Sequence, residues 1–351
     1  MNAQRPLLIS TDAELIDDVL RLAAANVVEI HLATDAESAR SRWQLASLVL
    51  VGADASLHVA AARMTRRRDV VLVARDPDPD TWQSAVALGA EHVVALPEAE
   101  RWLIDRLADS GEGPTRDGRL LAVVGSGAGA GASTFAVTLA LAAARAMKVL
   151  LVDGDALGGG LDIVLGLEDA PGIRWADLAD TRGRLGVHSL EEALPDHAGL
   201  SVLSWGRSGP SALSIDAVSA VMDAAVRGFD LVVVDLPRHL DAPAELVLSR
   251  ADLAMIVTSN RVRATAAAAR LIEQLEGRSN AVRLVLRMDP KGLRDDAVEL
   301  ALGIPVVARL PVIPGIPGRA DDGEPPTVGD AYGKACAAAL RLLAAGADRA
   351  A

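Results

Sequence analysis

Short apolar runs alternate along the whole chain with stretches whose apolar positions recur every three to four residues. In the first third the runs are RPLLIS (5–10), VEIHLAT (28–34), SLVLVGA (47–53), DVVLVAR (69–75) and EHVVALP (91–97). Helices are expected from Asp12, from Asp35 and between the later runs. Runs this apolar suit strands buried on both faces, and the stretches between them suit crossover helices, so the pattern predicts a parallel sheet covered on both sides. Five such units within residues 1–107 suit a flavodoxin-like winding.

The segment ADSGEGPTRDGR (108–119) breaks the pattern with Gly, Asp, Ser and Pro and no apolar periodicity. It predicts a linker over 108–118 between a domain at 1–107 and a second at 119–351. The second domain repeats the alternation: strands are expected at 119–125, 148–155, 200–205, 229–235, 253–259, 282–288 and 305–311, with a helix at 134–146 after the first. This again reads as a mainly parallel, doubly wound α/β sheet. Residues 318–330 read as a polar surface loop, and an alanine-leucine helix (334–344) follows.

At 351 residues the chain is long for one domain and comfortable for two. Hydrophobic content of 51% allows a well-buried core, filled by alanine, leucine and valine, since aromatics are only 2%. A net charge of −12 argues against nucleic acid as a partner, because non-specific binding rests on neutralising phosphates. The triplet Arg66-Arg67-Arg68 reads as a solvated helix end. One cysteine, Cys336, leaves no internal disulfide framework and fits a reducing compartment. No secretory leader and no long apolar run is seen, so a cytoplasmic protein is expected. The terminal helix lacks the basic face of a membrane-surface helix, and no direct membrane anchor is expected.

Candidate chemistry centres on GSGAGAGAST (125–134), which joins the first strand of the second domain to its first helix. Three readings compete. A degenerate Walker A loop would wrap phosphates in the backbone N–H groups of Gly127, Gly129, Ala130, Gly131, Ala132, Ser133 and Thr134, with the helix N-terminus aimed at them. A GxGxxA dinucleotide fingerprint would instead pair the glycines with Asp153 on a ribose, making an NAD or FAD oxidoreductase. In the third reading the glycines only permit a tight strand-to-helix turn. Hydroxyls at Ser133-Thr134, the pair Asp153 and Asp155 after the next strand, and Asp235 closing FDLVVVD favour the first reading, in which the carboxylates serve Mg2+. Only three of the 35 basic residues are lysine, and none stands in the loop. The six histidines show no metal-ligand spacing.

VLLVDGDALGGGLDIVLGLE and FDLVVVDLPR resemble the ParA/MinD group of deviant Walker A ATPases, and within it the CpaE/TadZ-like branch and the actinobacterial septum-site-determining proteins. Those proteins join a receiver-like domain to this fold, and the resemblance covers nearly the whole chain. The family's loop carries two lysines, and Gly127 and Ala132 occupy their positions; a Gly-Ala-Ser-Thr ending is itself typical of the CpaE/TadZ branch. By resemblance, Asp155 would position the attacking water, while Ser133, Asp153 and Asp235 would support Mg2+ beside ATP. Two absent lysine contacts cost roughly 3–6 kcal/mol. That weakens a micromolar site by about two to four decades. The resemblance therefore implies weak ATP binding and weak or absent hydrolysis, with an active MinD-type ATPase switch as the alternative. It also implies a homodimer, with protein partners in the division machinery or in Flp/Tad-type pilus and secretion assembly, and recruitment to the pole or septum.

GAEHVVALP resembles the last strand of a two-component receiver domain, over residues 5–107. The receiver chemistry does not carry over: Ser10-Thr11 precede Asp12 where an acidic pair is needed, Gly52 stands at the acceptor position with Asp54 two residues late, and Leu96 replaces the lysine. A pseudo-receiver used for contacts is expected, with Asp54 as a displaced phosphate acceptor the minor alternative.

Overall fold

The computed structural model describes residues 5–25, 28–111, 116–207, 212–277, 279, 281–326 and 329–347. The chain divides into two compact units, Met1–Thr115 and Arg116–Ala351.

The first unit begins β1 (Leu7–Ile9), α1 (Ala13–Ala24), β2 (His31–Ala33), α2 (Ala36–Trp43) and β3 (Val49–Gly52). It continues through α3 (Ala53–Ala61), β4 (Val70–Ala74), α4 (Pro79–Leu88), β5 (His92–Ala95) and α5 (Glu100–Gly111). All five strands are parallel in the order β2-β1-β3-β4-β5, the flavodoxin-like winding expected from the pattern. The period of two along each strand splits the core into two layers. Leu8, Leu50, Val71 and Val73 pack on α1 and α5, while Leu7, Ile9, Val49 and Val51 pack on α2 and α3. Asp12, Asp35 and Asp78 accept backbone N–H bonds at the starts of α1, α2 and α4, which fixes where those helices begin. β2 keeps only three residues of its apolar run, since it lies at the sheet edge with a single neighbour. Part of the expected linker is helical, because α5 runs on through 108–111; residues 112–115 lie outside the described residues.

In the second unit, β6 (Arg119–Gly125), α6 (Ala132–Ala144) and β7 (Val149–Asp153) lead into three short helices, α7 (Leu161–Val164), α8 (Trp175–Leu178) and α9 (Val187–Ala193). β8 (Asp196–His197), β9 (Leu200–Leu203), α10 (Ile215–Gly228), β10 (Leu231–Leu236), α11 (Ala242–Arg250) and β11 (Leu253–Ser259) follow. The unit ends with α12 (Val262–Leu275), β12 (Val282–Met288), α13 (Asp295–Leu302), β13 (Val306–Pro311), α14 (Ile316–Asp321) and α15 (Asp330–Ala347). The seven expected strands are present, and β8 adds a two-residue antiparallel edge. Part of the expected 318–330 loop is helical, as α14, and the terminal helix is longer at both ends than its apolar run.

Strand order is β13-β12-β11-β6-β10-β7-β9-β8, parallel up to β9. One face of the sheet packs Val124, Val152, Val234 and Ile256 against α10, α11 and α12. The other packs Val123, Val233 and Val257 against the buried face of α6 and against α15, whose Tyr332, Cys336 and Ala339 enter that core. β6, the strand feeding the glycine turn, is therefore central, and β10 lies between it and β7. A dinucleotide fold places its first two strands side by side. Here the strand ending in Asp235, rather than that ending in Asp153, is the neighbour of the glycine turn.

Candidate nucleotide site

Parallel strands bring all their C-terminal ends to one edge of the sheet, and the candidate residues lie along that edge. The turn 126–131 leaves β6 and enters α6, with Gly129 and Gly131 at φ +69° and +95°. Glycine is the residue that adopts this left-handed backbone without strain. Ser126 is buried: its N–H donates to Val257 O at 3.0 Å and its hydroxyl to Thr258 Oγ1 at 2.7 Å. These bonds pin the start of the turn to β11. The Ala130 N–H donates to Gly127 O at 3.1 Å, and its side chain is buried. Ala130 thus closes the turn internally, and its amide is not offered outward. The N–H groups of 127–129 and 131–134 donate to no acceptor among the described residues. The loop is consequently an open nest of amides at the start of a thirteen-residue helix, a ready anion site.

Ser133, in the first turn of α6, is exposed, and its hydroxyl faces the Asp235 carboxylate closely enough to favour its charged form. Asp235 is only 4% exposed and Asp153 only 2%. Burial pushes the Asp235 carboxyl up to about 7; the Ser133 hydroxyl opposes this, and the charges of Asp153 and Asp155 add to it. Burial likewise pushes Asp153 to about 7, against bonds from the N–H groups of Leu161 and Asp155, with Asp155 and Asp162 adding repulsion. No cation pairs with Asp153 or Asp235 among the described residues. This is the electrostatic state of an oxygen-donor set suited to a hard divalent ion.

Not all the expected Mg2+ residues stand alike. Ser133 and Asp235 converge. The oxygens of Asp153 instead accept from Asp155 N at 3.1 Å and Leu161 N at 2.9 Å, so this side chain organises the loop that carries Asp155. Asp155 itself accepts from Leu157 N at 3.1 Å. Among the described residues no three His, Cys, Asp or Glu side chains form a metal cage. That suits Mg2+, which keeps several waters and takes one or two protein carboxylates plus phosphate oxygens. The residues present fit the ion on those terms.

Three further residues stand at this edge: Asp162, which the sequence offered as part of the loop after β7, and Trp175 and Arg287, which carry no sequence signal for a role here. Asp162, 3% exposed, has Oδ1 buried without a hydrogen-bond partner among the described residues, and Arg207 lies 3.8 Å from its other oxygen. Trp175 Nε1 donates to Asp153 O at 2.8 Å, tying a buried indole to the end of β7. Behind the same strands, on the face of Val152 and Val234, a cavity of about 350 Å3 is walled by Trp175, Trp205, Met222 and Leu236. The third is Arg287 on β12, taken up below.

The first unit's receiver-like edge is closed by its own side chains. Asp54 Oδ1 accepts from Ser10 Oγ at 2.8 Å, and Oδ2 accepts from Thr11 N at 2.7 Å and Thr11 Oγ1 at 2.8 Å. A Cβ on Gly52 would fall 2.3 Å from Asp54 Oδ1 and 2.9 Å from Ser10 Cβ. No acceptor side chain fits there while these groups meet. Leu96, at the lysine position, is buried in the core with Leu103 and Leu107.

Residues 9–118 match the family described as the Rv3660c-like, CheY-like N-terminal domain. Over 316 residues the chain is 40% identical to the Mycobacterium tuberculosis H37Rv protein Rv3660c, covering 89% of this chain and 90% of that one. The CDC 1551 strain protein MT3760 matches to the same extent. Among solved structures, the ParA family ATPase of Chlorobium tepidum TLS superposes with a TM-score of 0.58 at 21% identity, covering 64% of this chain and 98% of that one. MinD of Aquifex aeolicus gives 0.54 at 23%, covering 64% and 97%. The septum site-determining protein MinD complexed with Mg-ADP from Pyrococcus horikoshii OT3 gives 0.55 at 20%, covering 65% and 98%. These likenesses are of fold: a CheY-like first unit and a ParA/MinD P-loop second unit.

Proposed function

Because the chain belongs to the Rv3660c-like family and its second unit has the ParA/MinD fold, we propose that it is a localisation or regulatory protein that binds Mg-ATP weakly and turns it over slowly or not at all. The observation that carries this reading is the approach of the Ser133 hydroxyl to the Asp235 carboxylate beside an open, uncharged nest of amides. Backbone N–H groups and a helix start can hold a phosphate chain without a lysine. Mg2+, when bound, supplies charge neutralisation of that chain. The chain's own residues present the ion with the Ser133 hydroxyl and the Asp235 carboxylate, while Asp153 holds the following loop in place. Hydrolysis needs fixed positive charge against the transition state, where a single donor can contribute about 10²–10³ in rate. The turn has no such side chain.

The solved relatives extend the reading. The Pyrococcus protein is a septum site-determining MinD with Mg-ADP, and the Aquifex protein is also known as a MinC:MinD complex. By this analogy the working form is a nucleotide-linked homodimer that engages protein partners. Its place is the CpaE/TadZ-like branch, marking the septum or a Flp/Tad-type pilus and secretion site from the cytoplasm, with the pseudo-receiver providing contacts. No helix among the described residues is long and apolar enough to cross a membrane.

Sedimentation of the full chain with and without Mg-ATP tests the form. A shift from monomer to dimer on adding Mg-ATP, abolished by Ser133→Ala, is expected. A sedimentation coefficient indifferent to nucleotide in both proteins would contradict it. A fluorescent fusion gathering at the septum or pole, rather than spreading evenly, is the expected cellular result.

A further inference from the structure

No cationic side chain stands in the glycine turn, yet one stands against it. β12 carries Val285 into the layer shared with α6 and α15, and the period of two puts Arg287 on the same face. Its Cδ lies 3.9 Å from the point that a Cβ on Gly131 would occupy. The stem of Arg287 therefore runs beside the last glycine before α6, on a strand separated from β6 only by β11.

The surroundings of this arginine are unusual. The residue is partly buried, and its Nε is fully buried with no hydrogen-bond partner among the described residues. No carboxylate among the described residues forms an ion pair with it. The titratable group that senses its charge is Tyr332 of α15, itself pushed up by burial and pulled back by Arg287. An arginine is seldom withdrawn from water without an anion, since its guanidinium cannot discharge by losing a proton. Here a permanent charge without a counter-ion adjoins a set of amides without acceptors. Both deficits are met by one anion.

We propose that Arg287 supplies from β12 the positive charge that Gly127 and Ala132 do not, closing its guanidinium on the phosphate chain of a nucleotide seated in the 126–134 turn. The ligand class is a nucleoside di- or triphosphate rather than a neutral nucleoside. This rests on the reading of the turn as a nucleotide site and adds the residue that makes it cationic. A planar guanidinium gives two parallel N–H bonds to phosphate oxygens, which suits delivery from the side of the turn rather than from within it. The cost of the absent lysines is thereby partly offset from a neighbouring strand.

The test uses the full chain and its Arg287→Lys, Arg287→Gln and Arg287→Ala variants, titrated calorimetrically with magnesium tripolyphosphate, Mg-ATP, Mg-ADP and adenosine. Circular dichroism melts identify the folded variants, and Arg287→Gln keeps the stem should Arg287→Ala unfold. The neutral variants are expected to lose about ten- to a hundredfold in affinity for tripolyphosphate and ATP. Arg287→Lys should lose less, and adenosine should be unaffected. Wild-type binding of Mg-ATP with equal affinity in Arg287→Gln would overturn the role of Arg287 and leave the nucleotide reading standing. Uptake of neither tripolyphosphate nor nucleotide by the wild type would remove both.

Discussion

The hydroxyl of Ser133 faces the carboxylate of Asp235, bringing the first turn of α6 up to the end of β10 beside the glycine turn. The serine is exposed and the aspartate almost wholly buried, so the carboxylate, when ionised, holds its charge out of water beside Asp153 and Asp155, with a hydroxyl facing it. Burying a charge this way opposes folding unless a cation or ligand relieves it. Asp235→Asn should therefore raise the ligand-free melting temperature by about 2–4 °C, the effect of about 1 kcal/mol in a unit of this size. The same variant should abolish any further stabilisation by Mg-ATP. A lower melting temperature in calorimetric scans would show that the carboxylate serves the fold instead.

Asp54 stands in the opposite electrostatic condition. Burial would raise its carboxyl, but the N–H of Thr11 and the hydroxyls of Ser10 and Thr11 outweigh it and hold it below the usual range. A depressed folded pKa adds stability that is present above the unfolded value of about 4 and lost as pH falls through the folded one. Asp54→Asn should cost about 1 kcal/mol at pH 7, a modest amount because the group is exposed, and the difference should shrink as pH falls below about 4. Denaturant titrations of both proteins at pH 7 and at successively lower pH check this. Since all three donors already occupy the carboxylate, incubation with acetyl phosphate should leave the intact mass of the chain unchanged.

Restoring the missing lysine should strengthen the site. The methyl group of Ala132 already packs against the neighbourhood of Gly125, where a Cβ would lie 3.3 Å away, so the stem of a longer side chain starts from a fixed point. Ala132→Lys is expected to tighten Mg-ATP binding about ten- to a hundredfold, the effect of one charged contact. Phosphate release should rise with it while staying slow. Turnover in the unaltered protein that already matches an active ATPase would identify a working switch instead.

Trp175 offers a reporter for the site. Its indole N–H holds the carbonyl of Asp153 at 2.8 Å, and its ring centroid lies 6.1 Å from that of Trp205. A ligand that reorganises the β7 end alters the surroundings of both rings. Mg-ATP should change the tryptophan emission of the wild type, and Trp175→Phe should remove most of that change. An undiminished signal in Trp175→Phe would place its source at another of the five tryptophans.

Much of this architecture is legible in the sequence because both sheets are parallel and buried, so their strands are written as unbroken apolar runs such as LVVVDL and LAMIVTS. What local pattern misses is short or depends on neighbours. β8 has two residues and exists only by pairing with β9; α7 and α8 have four residues each, too few for a periodic signal. At the site, residue types point to Ser133, Asp153, Asp155 and Asp235, and the fold does bring them to one edge. Spacing cannot reveal that the oxygens of Asp153 are taken by Leu161 and Asp155, since that follows from the path of the loop. Nor can it reveal Arg287, which is 156 positions from Gly131 in a chain numbered as here and meets it only because β12 and β6 both flank β11.

Isothermal titration of the full chain with Mg-ATP, run beside Ser133→Ala, tests the central claim most directly. The wild type should bind with an affinity between about ten micromolar and one millimolar, weaker than a lysine-bearing loop but with part of that loss offset by Arg287. Ser133→Ala should bind at least about tenfold more weakly. Equal heats of dilution in both proteins, with no saturable binding up to several millimolar ligand, would contradict the account.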